Sequence, residues 1–516
     1  MTTWHIVQDK LAAPMSVPGR ERAWPWSVAV VCFAATYLWL KLFRWRGVPI
    51  LLGGDQVFFW NYGQRVAHGQ VPYRDFFQIT PPGADYLYAG LFKMFGERMW
   101  VTDLVVLLAG VGLTFLVFEL SREFVASAVA ATLALGYLAT VYSHVLNGTH
   151  HVFSMVCVGA GLLALFRLRG EWRYFAGGLL FGMAALFTQT HGVFAGLGVC
   201  AVLLCDGPEM WRRRLSRVGW LVLGMASVVV AAEMALARKV GWHELWTLQV
   251  VIPRIVSGSR LNKVSMFSSG PDSESPLRYA YLIGMYAAAP AVYAIASVRL
   301  LRKKPGDRAA WMVVAVGGLL LVEVLIAPNP MRVFTTYFPV FVALAFLIHG
   351  WGRGVVVAKV ALVLLSVIAG RSMWITQRAA MQEVATPAGR VAAPTEAAAE
   401  KVVWLEEHRG EQDRVFEAAY PGVYLTLHTL DPLYAENVMP YRITPPQIAD
   451  RAREELQERG VRYVVWNEAL EADPEPEGRR AFENFREYVM ANYRTVAVLA
   501  NGERILERKS DLSATK

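Results

Sequence analysis

Apolar segments recur along the first three quarters of the chain, separated by short polar stretches. Eleven of them come close to the roughly 20 residues that a membrane-spanning helix needs. They lie at residues 25–43, 100–120, 124–142, 150–166, 174–190, 192–205, 218–237, 278–298, 309–327, 333–350 and 354–373. The sixth is the shortest. The pattern predicts a polytopic α-helical membrane protein with about eleven transmembrane helices.

A polar, aromatic-rich stretch at 53–98 interrupts the apolar pattern after the first segment. Its spacing predicts two short amphipathic helices joined by a bend, with a restart at Pro81-Pro82-Gly83. The first of these helices carries aromatic residues at helical spacing. We therefore expect it to lie in the membrane interface, with its rings among the lipid headgroups.

The pattern changes again after Gln377, where charged residues become frequent and helix-like and strand-like pieces alternate. Such alternation predicts a small soluble α/β domain. We divide the chain into a transmembrane domain, 1–375, with an outer catalytic loop at 45–99, and an extracytoplasmic α/β domain, 376–516. The second domain has no nucleophile with a base beside it, so we expect it to cover the active site or recognise the acceptor.

Composition agrees with a membrane protein, since 55% of the 516 residues are hydrophobic and 18% are charged. The net charge of +9 is unevenly divided. Residues 376–516 hold 18 Lys and Arg against 24 Asp and Glu, and the rest of the chain holds 33 against 18. The positive charge lies in loops between spans, where membrane orientation explains it, and it does not indicate nucleic acid binding.

The distribution of arginines predicts the orientation in the membrane. Arginine-rich loops alternate with outer loops that hold few, so the N-terminus is expected in the cytoplasm. An odd number of spans then places the C-terminal domain outside a bacterial-type inner membrane. The first span is expected to be retained rather than cleaved. The four cysteines lie in or beside apolar spans and form no zinc pattern.

Three carboxylates in the outer loop are candidates for chemistry, and each has a simpler structural explanation. Asp55 follows Gly53-Gly54 at the position of a helix N-cap. Asp75 follows Arg74 in a surface turn, and Asp85 lies in the first turn of a helix, where it would interact with the helix dipole. The pattern alone leaves capping and catalysis by Asp55 about equally supported.

Cationic and histidine side chains near the outer ends of the helices are candidates for ligand binding. A lipid phosphate needs arginine or lysine at the membrane surface. Arg254, Arg260 and Lys263 lie in one long outer segment, and Arg332 stands in a short outer loop. His150 and His151 could lie near a divalent cation or the acceptor, as could Asp85, although ordinary hydrogen bonding explains the histidines more simply.

A family resemblance rests on motifs of the outer loop. The loop resembles that of the GT-C glycosyltransferases in four motifs. They are Gly-Gly-Asp before an aromatic helix, Pro-Tyr-Arg-Asp-Phe, Pro-Pro-Gly with Tyr and Leu following, and Leu-Phe ending in Phe-Gly. The similarity is greatest to the protein mannosyltransferase and aminoarabinose transferase branch. Those enzymes take a sugar from a polyprenyl-phosphate carrier at the outer face of the membrane.

The resemblance implies a function and roles for particular residues. It implies an inverting glycosyltransferase that moves a monosaccharide from a polyprenyl-phosphate donor to a lipid, glycan or protein acceptor. Asp55 would be the catalytic carboxylate and Asp75 a second one. Arg332 and Tyr337, near Pro339, resemble the family's carrier-phosphate element. A divalent cation is possible as a cofactor, with no assigned ligands.

Two other functions stay open at this point. A transporter or flippase of an amphiphilic solute would carry charges at the bilayer midplane and show matching halves, whereas this chain places its polar residues at the outer ends. A catalytically inactive protein that binds the carrier lipid would keep the layout without the catalytic carboxylate.

Overall fold

The computed structural model describes residues 23–205, 210–259, 276–302, 307–326, 330–351 and 354–509. Eight helices in these ranges are long and apolar enough to span a membrane, and three shorter apolar helices accompany them. These eleven helices lie at the positions of the eleven predicted apolar segments. The polytopic α-helical fold is therefore confirmed. The long helices are Ala23–Leu42, Met99–Ser121, Ser127–Val145, His150–Arg167, Trp211–Val240, Pro276–Arg302, Arg308–Ile326 and Gly354–Arg378. The short ones are Trp172–Phe187, Gln189–Cys205 and Phe338–Ile348.

Glycines allow a close contact between the helices Trp172–Phe187 and Trp211–Val240. A Cβ added at Gly178 would lie 2.1 Å from the backbone oxygen of Leu221, and one at Gly224 would lie 2.2 Å from that of Phe175. Lipid tails are as apolar as the helix surfaces, so close backbone packing rather than the hydrophobic effect holds membrane helices together.

Short elements connect the spans on the side of the polar loop. Strands β1 (Phe43–Arg44) and β2 (Val48–Pro49) form a hairpin after the first span. The first outer helix (Gln56–Ala67) and the second outer helix (Gly83–Phe95) follow, as the sequence predicts. The remaining short helices are Trp242–Trp246, Ile252–Val256 and Pro330–Thr335.

The aromatic residues of the first outer helix do not lie among headgroups, so that expectation is wrong. Phe59, Trp60 and Tyr62 are all nearly fully buried. They pack inside the protein because the second outer helix covers one side of this helix and the C-terminal region covers another. A helix enclosed in this way is a fixed support for the residues at its ends.

The C-terminal region, Gln382–Arg508, forms the predicted α/β elements. Its four-stranded sheet has the order β5-β6-β8-β7, with β5 (Val415–Glu417) parallel to β6 (Tyr463–Trp466). The pairs of β8 (Arg504–Arg508) with β6 and with β7 (Tyr493–Val498) are antiparallel. Its helices are Glu396–His408, Val423–Thr426, Pro446–Glu458 and Arg479–Asn492.

Sequence analysis does not predict one hairpin of the C-terminal region, β3 (Gln382–Thr386) with β4 (Gly389–Ala393). This hairpin joins the membrane part, because the backbone N–H of Leu51 donates to the carbonyl of Ala392 at 2.9 Å. The last apolar helix runs to Arg378, past the predicted boundary between residues 375 and 376. The division into two domains stays a prediction.

We expect Gly178→Ala to destabilise the helix bundle by about 1–3 kcal/mol, since the new methyl group meets backbone atoms that cannot rotate away. Gly219→Ala is the matched control, because a Cβ at Gly219 meets nothing within 4 Å. The thermal unfolding midpoints of the two purified variants in detergent, compared with that of the wild type, measure their stability. Equal midpoints for the two variants would contradict the packing described here.

Candidate active site

Asp55 begins the first outer helix but does not cap it. Gly54 before it has a φ of 77°, a conformation that favours glycine, and this turn brings the chain into the helix. Asp55 occupies the N-cap position, yet its side chain makes no capping hydrogen bond. The capping explanation that the sequence leaves open therefore does not account for this carboxylate.

Asp55 is accessible to solvent, yet the surrounding protein desolvates its carboxylate. Its side chain is exposed to solvent, but desolvation by the surrounding protein is the largest influence on its pKa and raises it. A side chain that is both accessible and desolvated lies in a recess rather than on a convex surface. The positive charge of Arg332 partly opposes the increase in the pKa.

Among the described residues, Arg332 is the predicted phosphate-binding residue whose charge acts on Asp55. It lies in the short helix Pro330–Thr335, where its side chain is partly buried. Its charge acts on Asp55 and also on Glu323 and His150. The recess therefore combines a carboxylate with a cation from a distant part of the sequence.

Gln56 and Tyr88 hold the loop at residues 146–149, which precedes the helix His150–Arg167, against the first and second outer helices. The Oε1 atom of Gln56 accepts a hydrogen bond from the backbone N–H of Gly148 at 3.1 Å, and its Nε2 donates to the carbonyl of Gly53 at 3.0 Å. Tyr88 donates its hydroxyl to the carbonyl of Gly148 at 2.8 Å. These bonds place the adjacent His150 beside Phe59, with ring centroids 5.0 Å apart.

A group of side chains that could hold a metal ion lies beyond His150. Single ligand atoms of His151, His191 and Glu323 lie within 4.8 Å of one another. Two imidazoles and a carboxylate suit Zn²⁺. His191 is also held without an ion, since Nδ1 lies 2.6 Å from the hydroxyl of Ser154 and Nε2 lies 3.2 Å from Glu323. Asp55, His150 and Asp85 are not members of this group.

Asp75 lies in a surface turn beside Arg74, which is the simpler of the two explanations that the sequence offers for this residue. Its Oδ2 accepts from the backbone N–H of Val71 at 2.7 Å, and both its oxygens accept from Arg74. The Arg74 guanidinium holds the pKa of this carboxyl below its ordinary value. The carboxylate is used within its own turn, and no contact of the described residues joins it to Asp55.

Asp85 is fully buried in the first turn of the second outer helix. Burial raises its pKa to about 8. The side chain is mostly protonated at neutral pH. The structure places it in the protein interior rather than beside Asp55.

For Tyr337 and Arg254, the structure shows no interaction with Asp55 among the described residues. The hydroxyl of Tyr337 donates to the carbonyl of Met285 at 3.0 Å, so it is used within the membrane part. Arg254 is exposed on the helix Ile252–Val256. Arg260 and Lys263 lie outside the described residues.

A cavity of about 200 Å³, whose lining does not include Asp55, lies between the second outer helix and the ends of two membrane helices. Its lining is mostly apolar and comprises Pro82, Gly83, Tyr86, Leu186, Ala232, Glu233, Ala235, Leu236 and Lys239. Glu233 there accepts from Gln249 at 3.3 Å.

The C-terminal region docks on the first outer helix through Arg65, which is 2% exposed. The guanidinium donates to the carbonyls of Leu433, at 2.9 Å, and Asp75, at 3.0 Å, and it lies over the ring of Phe76. Asp431 lies 3.8 Å from it. Burial is the largest influence on both charged groups, lowering the pKa of Arg65 and raising that of Asp431 to about 7.

Sequence reasoning missed two residues of the C-terminal region that interact with Asp55. Tyr420 and Glu436 both have a raised pKa, in which burial is the first cause and the charge of Asp55 the second. Tyr420 also packs beside Phe58, with ring centroids 6.0 Å apart. Both lie in irregular segments without periodicity, so no signal in the sequence distinguishes them.

Comparison with known proteins supports the resemblance of this chain to the GT-C glycosyltransferases. Residues 80–234 match the family described as dolichyl-phosphate-mannose-protein mannosyltransferase. The arabinofuranosyltransferase AftD from Mycobacteria, solved by single-particle cryo-EM, matches over 94% of this chain and 40% of its own, with a TM-score of 0.50 and 12% identity. The resemblance inferred from the outer-loop motifs is confirmed, and the chain is a multi-pass membrane protein.

Two further structures match with lower scores. ArnT from Cupriavidus metallidurans bound to undecaprenyl phosphate matches over 95% of this chain and 99% of its own, with a TM-score of 0.46 and 15% identity. The oligosaccharyltransferase of Archaeoglobus fulgidus, in complex with Zn and sulfate, matches over 84% of this chain and 67% of its own, with a TM-score of 0.47 and 12% identity. No protein of curated function matches the sequence.

We expect Arg65→Leu to loosen the C-terminal region and to lower stability by about 3 kcal/mol. The change leaves the carbonyls of Leu433 and Asp75 without this donor and the buried Asp431 without its cation. Thermal unfolding and limited proteolysis between residues 382 and 508 measure the effect. Arg74→Leu, at an exposed arginine of the same loop, should leave the unfolding midpoint and the resistance to protease close to those of the wild type. Resistance to protease as high as in the wild type would contradict the docking role.

Proposed function

We propose that the protein is an inverting glycosyltransferase, which moves a monosaccharide from a polyprenyl-phosphate donor to a lipid, glycan or protein acceptor. The observation that carries this is Asp55, an uncapped, accessible and desolvated carboxylate that interacts with Arg332. The family matched by residues 80–234 is described by a dolichyl-phosphate-linked mannose, a sugar on a lipid phosphate of the same type. That match does not reach Asp55 or Arg332, so their roles rest on the geometry.

Asp55 acts as the base that removes a proton from the acceptor hydroxyl. A general base works best when its pKa is near the working pH, and desolvation shifts Asp55 in that direction. The acceptor oxygen then attacks the anomeric carbon of the donor sugar, the bond from that carbon to the phosphate oxygen breaks, and the carrier phosphate leaves. The proton remains on the Asp55 carboxyl until water removes it.

Arg332 binds the carrier phosphate and stabilises the negative charge that develops on it as it leaves. Its partial burial strengthens this interaction relative to one in bulk water. His151, His191 and Glu323 would hold a divalent cation, and such an ion would add positive charge near the phosphate. We place the site at the outer face of a bacterial-type inner membrane, with the N-terminus in the cytoplasm, because of the arginines in the alternate loops.

We expect Asp55→Asn to lower the transfer rate by at least about 100-fold, because an amide cannot accept the proton. The assay measures the transfer of labelled mannose or arabinose from undecaprenyl-phosphate-linked donors in membranes that contain the protein. Glu411→Gln, at an exposed carboxylate of the C-terminal region, is the control. Retained transfer by Asp55→Asn at normal membrane levels would refute the proposed role.

A further inference from the structure

The C-terminal region presents a fixed surface to the recess of Asp55. Asp431 accepts a hydrogen bond from Asn61 at 3.2 Å, on the helix that Asp55 begins. The hydroxyl of Tyr434 donates to the carbonyl of Tyr73 at 2.7 Å, and the carbonyl of Tyr434 accepts from the backbone N–H of Phe77 at 2.8 Å. The segment that follows, with Glu436, is therefore held at a defined position against the outer loop.

Glu436 is a buried carboxyl group with unused hydrogen-bonding capacity. It is 4% exposed, and no described residue bonds to its Oε2. Burial and the charge of Asp55 raise the pKa of Glu436 to about 8, so it is mostly protonated at neutral pH. A protonated carboxyl group can donate one hydrogen bond and accept others. Buried polar groups are nearly always bonded, and an exception calls for a bound partner.

Tyr420 supplies an aromatic face on a segment that is joined to the segment of Glu436, since the backbone N–H of Val438 donates to the carbonyl of Ala418 at 2.9 Å. It is 40% exposed although it packs beside Phe58, and the charge of Asp55 acts on its hydroxyl. Binding sites for small molecules combine apolar or aromatic faces with a few polar groups that fix the orientation of the ligand. A sugar ring fits this pair, since its C–H face packs on an aromatic ring and its hydroxyls bond to a carboxyl group.

We propose that Tyr420 and Glu436 form a subsite that binds a neutral hydroxylated sugar ring beside Asp55. The ring packs against Tyr420, and one of its hydroxyls bonds to Glu436. An acidic sugar is disfavoured, because Asp55 already carries negative charge at this position. The subsite rests on the proposed function for its purpose, but its binding can be measured without turnover. It belongs to the sugar of the donor or to a glycan acceptor.

Saturation-transfer NMR on the full-length protein in nanodiscs tests the subsite, with mannose, glucose, galactose and arabinose as probes. We expect at least one of them to bind the wild type. Glu436→Leu and Tyr420→Ala should each raise its Kd at least about fivefold, the effect of losing one good contact. Glu436→Gln keeps the hydrogen-bonding groups and Tyr420→Phe keeps the ring, so both should stay within about twofold of the wild type.

Thermal unfolding separates binding from folding. Glu436→Leu replaces a buried carboxyl group, whose Oε2 has no described partner, with an apolar side chain. We therefore expect its unfolding midpoint to be equal to or above that of the wild type while binding is lost. Glu411→Leu, at an exposed site of the same region, should change neither. The proposal is overturned if no probe binds the wild type, or if Glu436→Leu and Tyr420→Ala bind as the wild type does.

Hydrolysis of undecaprenyl-phosphate mannose in the absence of acceptor distinguishes the two sources of the ring. If the subsite binds the donor sugar, Glu436→Leu should raise the KM for this hydrolysis. If it binds a glycan acceptor, the KM should not change. Either result supports the subsite. Asp55→Asn should still bind the sugar probe. If that variant also keeps full transfer, the catalytic role of Asp55 fails while the subsite stands.

Discussion

The buried guanidinium of Arg65 is the contact on which the arrangement of the recess depends. It joins the first outer helix to the C-terminal region through the Leu433 carbonyl, and it also holds the Asp75 turn. Burying this charge costs free energy that its hydrogen bonds must offset. Because Asp55 begins the same helix, fixing Arg65 also fixes Asp55 relative to Tyr420 and Glu436.

Asp55 then lies between two parts of the chain with different chemistry. The membrane part supplies Arg332, a cation suited to a lipid phosphate, and the C-terminal region supplies Glu436, a carboxyl group. Phosphate binding and sugar binding would thus occur on different walls of one recess. On this account, the C-terminal region contributes the wall that binds sugar, and the membrane part contributes the wall that binds phosphate.

The sequence predicted the helices well and the site only in part. The helices could be predicted because long apolar runs and the helical period of the outer loop are local signals. Gly54 and Asp55 likewise marked the start of the first outer helix at the correct position. Arg332 could be inferred because an isolated arginine breaks the local charge pattern. Tyr420 and Glu436 could not, because they reach Asp55 through contacts more than 350 residues apart in sequence. The burial of the first outer helix was missed for the same reason, since amphipathic spacing does not reveal what covers a helix.

The location of the carrier phosphate tests the central claim most directly. A cryo-EM structure of the protein in nanodiscs with undecaprenyl phosphate should show the phosphate beside Arg332, facing Asp55. Phosphate density beside Lys239, in the apolar cavity that Glu233 also lines, would contradict it and move the donor site away from Asp55.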